Sequence, residues 1–151
     1  MKERQPAKSD SKEKRAAIHV LSKVYRKPAE AFDFEIRDAA SEPPWQLPEY
    51  ARLNATFEDR VIGWLISRDV APGETEILHV FTQPPFRRSG VAKRLIDRLL
   101  QTRPGSVFLE VRESNDAARK LYAGVGFLQI GSRKEYYRDP VETAIVMKFH
   151  S

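Results

Sequence analysis

The sequence predicts an α+β domain: a mixed, mostly antiparallel β-sheet with a splayed central strand, flanked by helices. Three observations carry this. The periodic segments run β, β-β-β, α, β, α, β, β, with both clear helices in the second half. The stretch Thr75–Thr82 is rich in apolar and β-branched residues and runs into Pro84-Pro85. Proline forces extended geometry on the residue before it and cannot donate to a ladder, so this strand is expected to end splayed rather than paired. Finally, Val91, Ala92, Leu95, Ile96, Leu99 and Leu100 form an apolar stripe at helical spacing, opposite Lys93, Arg94, Asp97, Arg98 and Gln101.

Each element follows in order. Residues 1–15 are polar and aperiodic, so they are expected to be a disordered basic tail, with the domain occupying 16–151. Ala16–Lys27 fits a helix through Ile18, Leu21, Val24 and Tyr25, or a strand at Ile18–Val20, and Pro28 ends either. Phe32–Arg37 alternates as a strand. Ser41–Pro48 is expected to be loop, because its prolines forbid a helix interior. Ala51–Phe57 and Val61–Arg68 read as strands joined at Glu58-Asp59, and Pro72-Gly73 turns the chain into Thr75–Thr82. The helix after Gly90 ends at Pro104-Gly105. Val107, Leu109 and Val111 put one face of the next strand in the core, leaving Phe108, Glu110 and Arg112 on the other. Ser114-Asn115-Asp116 caps a helix over Ala117–Ala123 that stops at Gly124 and Gly126. Phe127–Ile130 and Ala144–Phe149 are the last strands, with Arg133–Val141 as loop or strand ends between them.

Composition narrows the function classes. At 151 residues the chain holds one domain. It has no cysteine, which removes disulfides, thiolate zinc sites and a cysteine nucleophile. His79 and His150 sit in no metal-ligand pattern. The net charge of +5 is concentrated in the tail, where six basic residues face three acidic ones. That distribution reads as a solvated end rather than a nucleic-acid surface. The apolar run Val61–Ile66 is far too short to span a membrane, and the first residues form no apolar leader, so the expected location is the cytoplasm.

Two clusters carry possible chemistry. Arg87-Arg88-Ser89-Gly90 opens a helix whose first N–H groups are unpaired and whose N-terminus carries partial positive charge. It is either a cradle for a diphosphate or an ordinary helix start with solvated arginines. Glu110 is either a solvent-facing strand residue or a general base whose pKa is raised by apolar neighbours. Tyr122 is either a packing residue, spaced with Ala118, Leu121 and Val125, or a general acid. Asn115 is explained by capping alone.

The block F-R-R-S-G-V-A at Phe86–Ala92, followed by L-E-V-R-E-S-N-D-A-A-R-K-L-Y-A-G-V-G-F at Leu109–Phe127, resembles the GNAT superfamily of acetyl-CoA-dependent N-acetyltransferases. Arg87-x-x-Gly90-x-Ala92 matches that family's pyrophosphate signature. Within the family, the chain is most similar to enzymes that acetylate the N-terminal alanine of ribosomal protein S18. The later R-K-E-Y-Y and T-A-I-V-M-K-F also fit. The resemblance covers about residues 60–149.

This resemblance implies a GNAT fold and acetyl-CoA as co-substrate. Val80, Phe81 and Thr82 would hold the pantetheine arm and acetyl carbonyl on the splayed strand. Arg87, Arg88, Ser89, Gly90, Val91, Ala92 and Lys93 would surround the pyrophosphate, and Asn115 would touch the cofactor. Glu110 would be the base and Tyr122 the acid in direct attack by a primary amine, the expected acceptor being a protein N-terminus such as that of a ribosomal protein. Members of the family usually carry two helices between the first two strands. Here about a dozen proline-rich residues separate Ile36 from Ala51, and the Tyr137–Thr143 loop is also short. Both regions normally contact the acceptor.

Overall fold

A computed structural model describes residues 34–40 and 49–151. The expectations for the tail at 1–15, for Ala16–Lys27, for the start of the Phe32–Arg37 strand and for the Ser41–Pro48 loop lie outside those residues. Seven strands form one sheet: β1 (Glu35–Ala39), β2 (Tyr50–Phe57), β3 (Arg60–Ala71), β4 (Glu74–Thr82), β5 (Ser106–Arg112), β6 (Leu128–Arg138) and β7 (Val141–His150). Their spatial order is β1-β2-β3-β4-β5-β7-β6, and every neighbouring pair is antiparallel except β4–β5. Helix α1 (Val91–Thr102) joins the parallel pair, and α2 (Asp116–Val125) links β5 to β6.

The first strand ends two residues later than alternation suggests, because Asp38 and Ala39 pair through their backbone with Leu53 and Arg52. β2 and β3 meet at a two-residue turn with Glu58 and Asp59 both left-handed, at φ 47° and 59°. This hand matches the twist of the paired strands, although glycine or asparagine would adopt it at lower cost.

β4 holds the main departure from regularity. It pairs with β5 only from Glu74↔Ser106 to Ile77↔Leu109, yet stays on β3 as far as Gly63↔Thr82. The expectation of an unpaired end therefore holds on one edge alone. The proline pair is not what parts the strands. Leu78 is an extra residue between Ser67↔Ile77 and Ile66↔His79, and such a bulge bends the strand that carries it. It also exchanges faces: Thr75 and Ile77 are buried before it, whereas Val80 packs on the core after it. Phe81 then stacks on Trp64 across the sheet, with ring centres 4.4 Å apart. Trp64 Nε1–H donates to His79 Nδ1 at 3.1 Å, and burial lowers the His79 pKa.

The core lies between the sheet and the two helices. Val91, Leu95, Ile96 and Leu99 of α1 are buried there with Ile62, Leu65, Val107 and Leu109. Gly63 sets the spacing. A Cβ at that position would sit 2.7 Å from the Phe81 carbonyl oxygen and 2.8 Å from Val91 Cγ1, so only glycine lets α1 begin this close to β3. Helix α2 buries no residue fully but lays Ala118, Leu121, Tyr122 and Val125 against the core.

The segment expected as loop or strand ends, Arg133–Val141, is mostly strand. β6 continues to Arg138 and pairs with Glu142 and Val141 of β7. Two irregularities break its alternation, the larger between Arg133↔Ala144 and Tyr137↔Glu142, where three residues of β6 face one of β7. Period-two reasoning fails on such a strand, and its charged, exposed residues suit a sheet edge.

Candidate active site

Beyond Ile77 and Leu109 the two parallel strands part and leave a cleft of about 480 Å³. It is lined by Val80, Phe81 and Thr82 of β4 and by Arg87, Arg88, Gly90, Val91, Ala92 and Lys93 around the start of α1. Phe86, Ala117, Ala118 and Leu121 complete the lining. The two small residues in the first turn of α2 are the feature that sequence reasoning missed. They keep that wall low, and the A-A pair after Asn115-Asp116 was the available signal. Ser89 and Asn115 do not line the cleft. The buried Ser89 hydroxyl donates to the Phe86 carbonyl, and Asn115 Oδ1 accepts from Ala118 N at 3.2 Å as the cap of α2.

The loop between β4 and α1 is pinned from below. Pro84–Phe86 makes one 3-10 turn that drives Phe86 into the core at 2% exposure. Arg87 Nε donates to the Thr82 carbonyl at 3.2 Å, tying the loop to the end of the strand. Arg88 and Gly90 are both left-handed, at φ 58° and 79°. A Cβ on Gly90 would meet nothing within 4 Å, because it would project into open space. The unpaired N–H groups of the first helical turn, the Arg88 and Lys93 side chains and this missing Cβ suit a diphosphate. Lys93 holds Asp97 at 2.7 Å one turn along the helix.

Glu110 lies on the face of β5 opposite the buried Leu109 and Val111. Its carboxylate is 17% exposed and sits 3.1 Å from Arg133 Nε. Val146 stands directly opposite it on β7, and polar groups join that apolar neighbour. These are Arg133, the Tyr136 hydroxyl, which is raised in pKa first by its hydrogen bond to Glu110, and Tyr137. All three come from the bulged part of β6, whose pairing broken alternation concealed.

Tyr122 faces the core from α2, edge-on to Phe127 at 5.8 Å between ring centres. Burial, and secondarily the nearby Tyr137, pushes its pKa up to about 12. Burial, and after it Glu110, raises the Tyr137 pKa.

Two further residues hold this arrangement. Arg112 lies 4.1 Å from the Tyr137 ring centre, contacts Glu142 Oε2 at 3.2 Å and donates to the Pro140 carbonyl at 3.3 Å. Glu142 Oε1 accepts from Ser114 N at 2.6 Å, stapling the β5–α2 connection to the β6–β7 hairpin. Ser114's hydroxyl and backbone N–H, with Arg112 behind them, hold the Glu142 carboxyl below its usual range.

Comparison with known proteins gives the family and the fold. The profile of the acetyltransferase (GNAT) family matches residues 17–127. Ribosomal protein bS18-alanine N-acetyltransferase of Haemophilus ducreyi is 36% identical over 132 residues, which span 78% of this chain and 90% of that protein. Among solved structures, the ribosomal-protein-S18-alanine N-acetyltransferase of Escherichia coli superposes with a TM-score of 0.66 at 23% identity, covering 76% of this chain and 93% of that one. A GNAT family acetyltransferase from Elizabethkingia anophelis with acetyl-CoA bound gives 0.67 at 15% identity, covering 78% and 98%. At these identities the structures speak to the fold alone.

Proposed function

The chain belongs to the GNAT family of acetyltransferases and is an acetyl-CoA-dependent N-acetyltransferase, and from that premise we propose that its acceptor is the N-terminal amine of a protein. We assign that amine to an alanine such as the one borne by ribosomal protein bS18, with Glu110 as general base and Tyr122 as general acid. The observation that carries the chemistry is that Glu110 is the first residue of β5 past its last pairing with β4, where the cleft opens, with its carboxylate 17% exposed. The choice of acceptor is supported by the 36% identity to a protein of that specificity across nine-tenths of its length.

Acetyl-CoA supplies an activated thioester. Val80 to Thr82 expose the β4 edge that β5 leaves unpaired, which suits hydrogen bonding to an extended amide-bearing arm. Arg88, Lys93 and the first turn of α1 take the phosphates. An α-amine has a pKa of about 8, so part of it is already neutral near pH 7.5. Glu110 takes a proton from the remainder, bound as ammonium, and frees the amine to attack, while the proton that becomes acidic as the N–C bond forms leaves to solvent. Tyr122 stays protonated throughout the working range and donates to the sulfur as the C–S bond breaks. A phenol near 12 is a weaker acid than a thiol near ~8.5, a mismatch that costs about 5 kcal/mol for complete transfer. Transfer therefore accompanies departure of the sulfur rather than preceding it.

The test is mass spectrometry of a peptide library incubated with acetyl-CoA, with all first residues represented and internal lysines present. Acetylation is expected on α-amines, with peptides that begin in alanine preferred. Modification of lysine side chains alone would overturn the assignment of the acceptor.

A further inference from the structure

We propose that Arg133 is the exchangeable counter-ion of Glu110: in the free enzyme its guanidinium holds the place on the carboxylate that the acceptor's ammonium group must take. The inference rests on the assignment of Glu110 as the base and deepens it, because it names the residue that tunes acceptor affinity.

The register brings the two together across an intervening strand. Arg133 is opposite Ala144, Ala144 is opposite Arg112, and Glu110 is opposite Val146, so Arg133 and Glu110 share one face of the sheet with β7 between them. Ala144 presents only a methyl group there, which leaves room for a long side chain to pass. The bulge after Arg133, with Glu135 left-handed at φ 52°, turns the following residues back toward the same carboxylate.

Two features make the contact exchangeable. The Arg133 side chain is 60% exposed whereas Glu110 is 17% exposed, so the cation can leave into water while the anion stays. The Tyr136 ring lies 5.6 Å from the Arg133 guanidinium carbon, and this aromatic face can keep the displaced cation nearby. An arriving ammonium group meets a cation already on Oε1, and the two repel each other while sharing one negative charge, so each acceptor molecule competes with Arg133.

An ion pair this open is weak, so its removal should strengthen acceptor binding only two- to fivefold, about 0.4–1 kcal/mol. Calorimetry with an alanine-led peptide and the enzyme–CoA complex measures this for wild type, Arg133→Gln, Glu110→Gln and the double variant. Arg133→Gln should tighten peptide binding two- to fivefold, with kcat held within about twofold and acetyl-CoA affinity unchanged. In the Glu110→Gln background the same change should have no effect, since no anion remains to be contested. Unchanged or weaker binding in Arg133→Gln overturns the proposal, and so does an equal gain in both backgrounds. The assignment of the base fails by a separate result, a wild-type kcat in Glu110→Gln alone.

Discussion

The guanidinium of Arg112 lies 4.1 Å from the centre of the Tyr137 ring. Through this contact and its hydrogen bonds to the hairpin tip, β5 fixes the aromatic residue whose pKa is raised by burial and then by Glu110. Arg112→Lys keeps the charge but loses the planar stack and the fork of donors. The expected result is a roughly tenfold fall in kcat, since small displacements of positioned groups are costly, with acetyl-CoA affinity unchanged. Steady-state kinetics and calorimetry on the same protein check it, and equal kcat would show that Tyr137 is held adequately by its burial.

Gly90 is left-handed at φ 79°, and its absent Cβ leaves open space at the proposed phosphate cradle. Gly90→Ala should cost about 1–2 kcal/mol of stability, because an L side chain strains this conformation. It should also weaken acetyl-CoA binding by at least about tenfold, or 1.4 kcal/mol. Calorimetry on a variant shown by circular dichroism to be folded separates the two effects. Full cofactor affinity would place the phosphates elsewhere.

Glu142 offers a pH test. Its folded pKa is depressed, first by the Ser114 hydrogen bonds and then by Arg112, so it favours the native state only while ionised. That contribution is complete above the unfolded value, near ~4.5, and fades as pH falls through the lower folded value. Glu142→Gln should therefore melt below wild type at pH 7, and the gap should close on acidification below about 4.5. A gap that stays constant down to pH 3 would mean that the staple depends on shape rather than on charge.

The helix expected to open at Gly90 was legible because its signals are local. The helix over Val91–Thr102 follows from one apolar stripe between Gly90 and Pro104, and the left-handed turn at Gly90 is the reason for that glycine. The surroundings of Glu110 were not legible. They depend on Arg133, Tyr136 and Tyr137, which reach the carboxylate across β7 from a strand whose bulge breaks the alternation that marks strands in a sequence. Likewise, the parting of β4 from β5 was expected at the prolines but begins at Leu78, where an extra residue bends the strand without any compositional mark.

The assignment of acid and base makes the last prediction. Glu110→Gln preserves shape and removes the proton acceptor, so its rate should fall near neutral pH and partly recover as rising pH deprotonates the amine unaided. Tyr122→Phe removes one hydroxyl from a ring packed edge-on against Phe127, so the fold should survive with little change in melting temperature. Its chemical step should slow about 10²-fold, or roughly 3 kcal/mol, because the departing sulfur loses its donor. Raising pH should not restore the Tyr122→Phe rate, since the deficit lies in the leaving group rather than in the amine. Acetyl-CoA affinity should hold in both variants, as neither side chain belongs to the loop and helix turn proposed to take the phosphates. Single-turnover rates against pH distinguish the two roles. If Tyr122→Phe reacts like wild type, Tyr122 is a packing residue, and the proton must come from water or from another tyrosine such as Tyr136, whose pKa is raised first by Glu110.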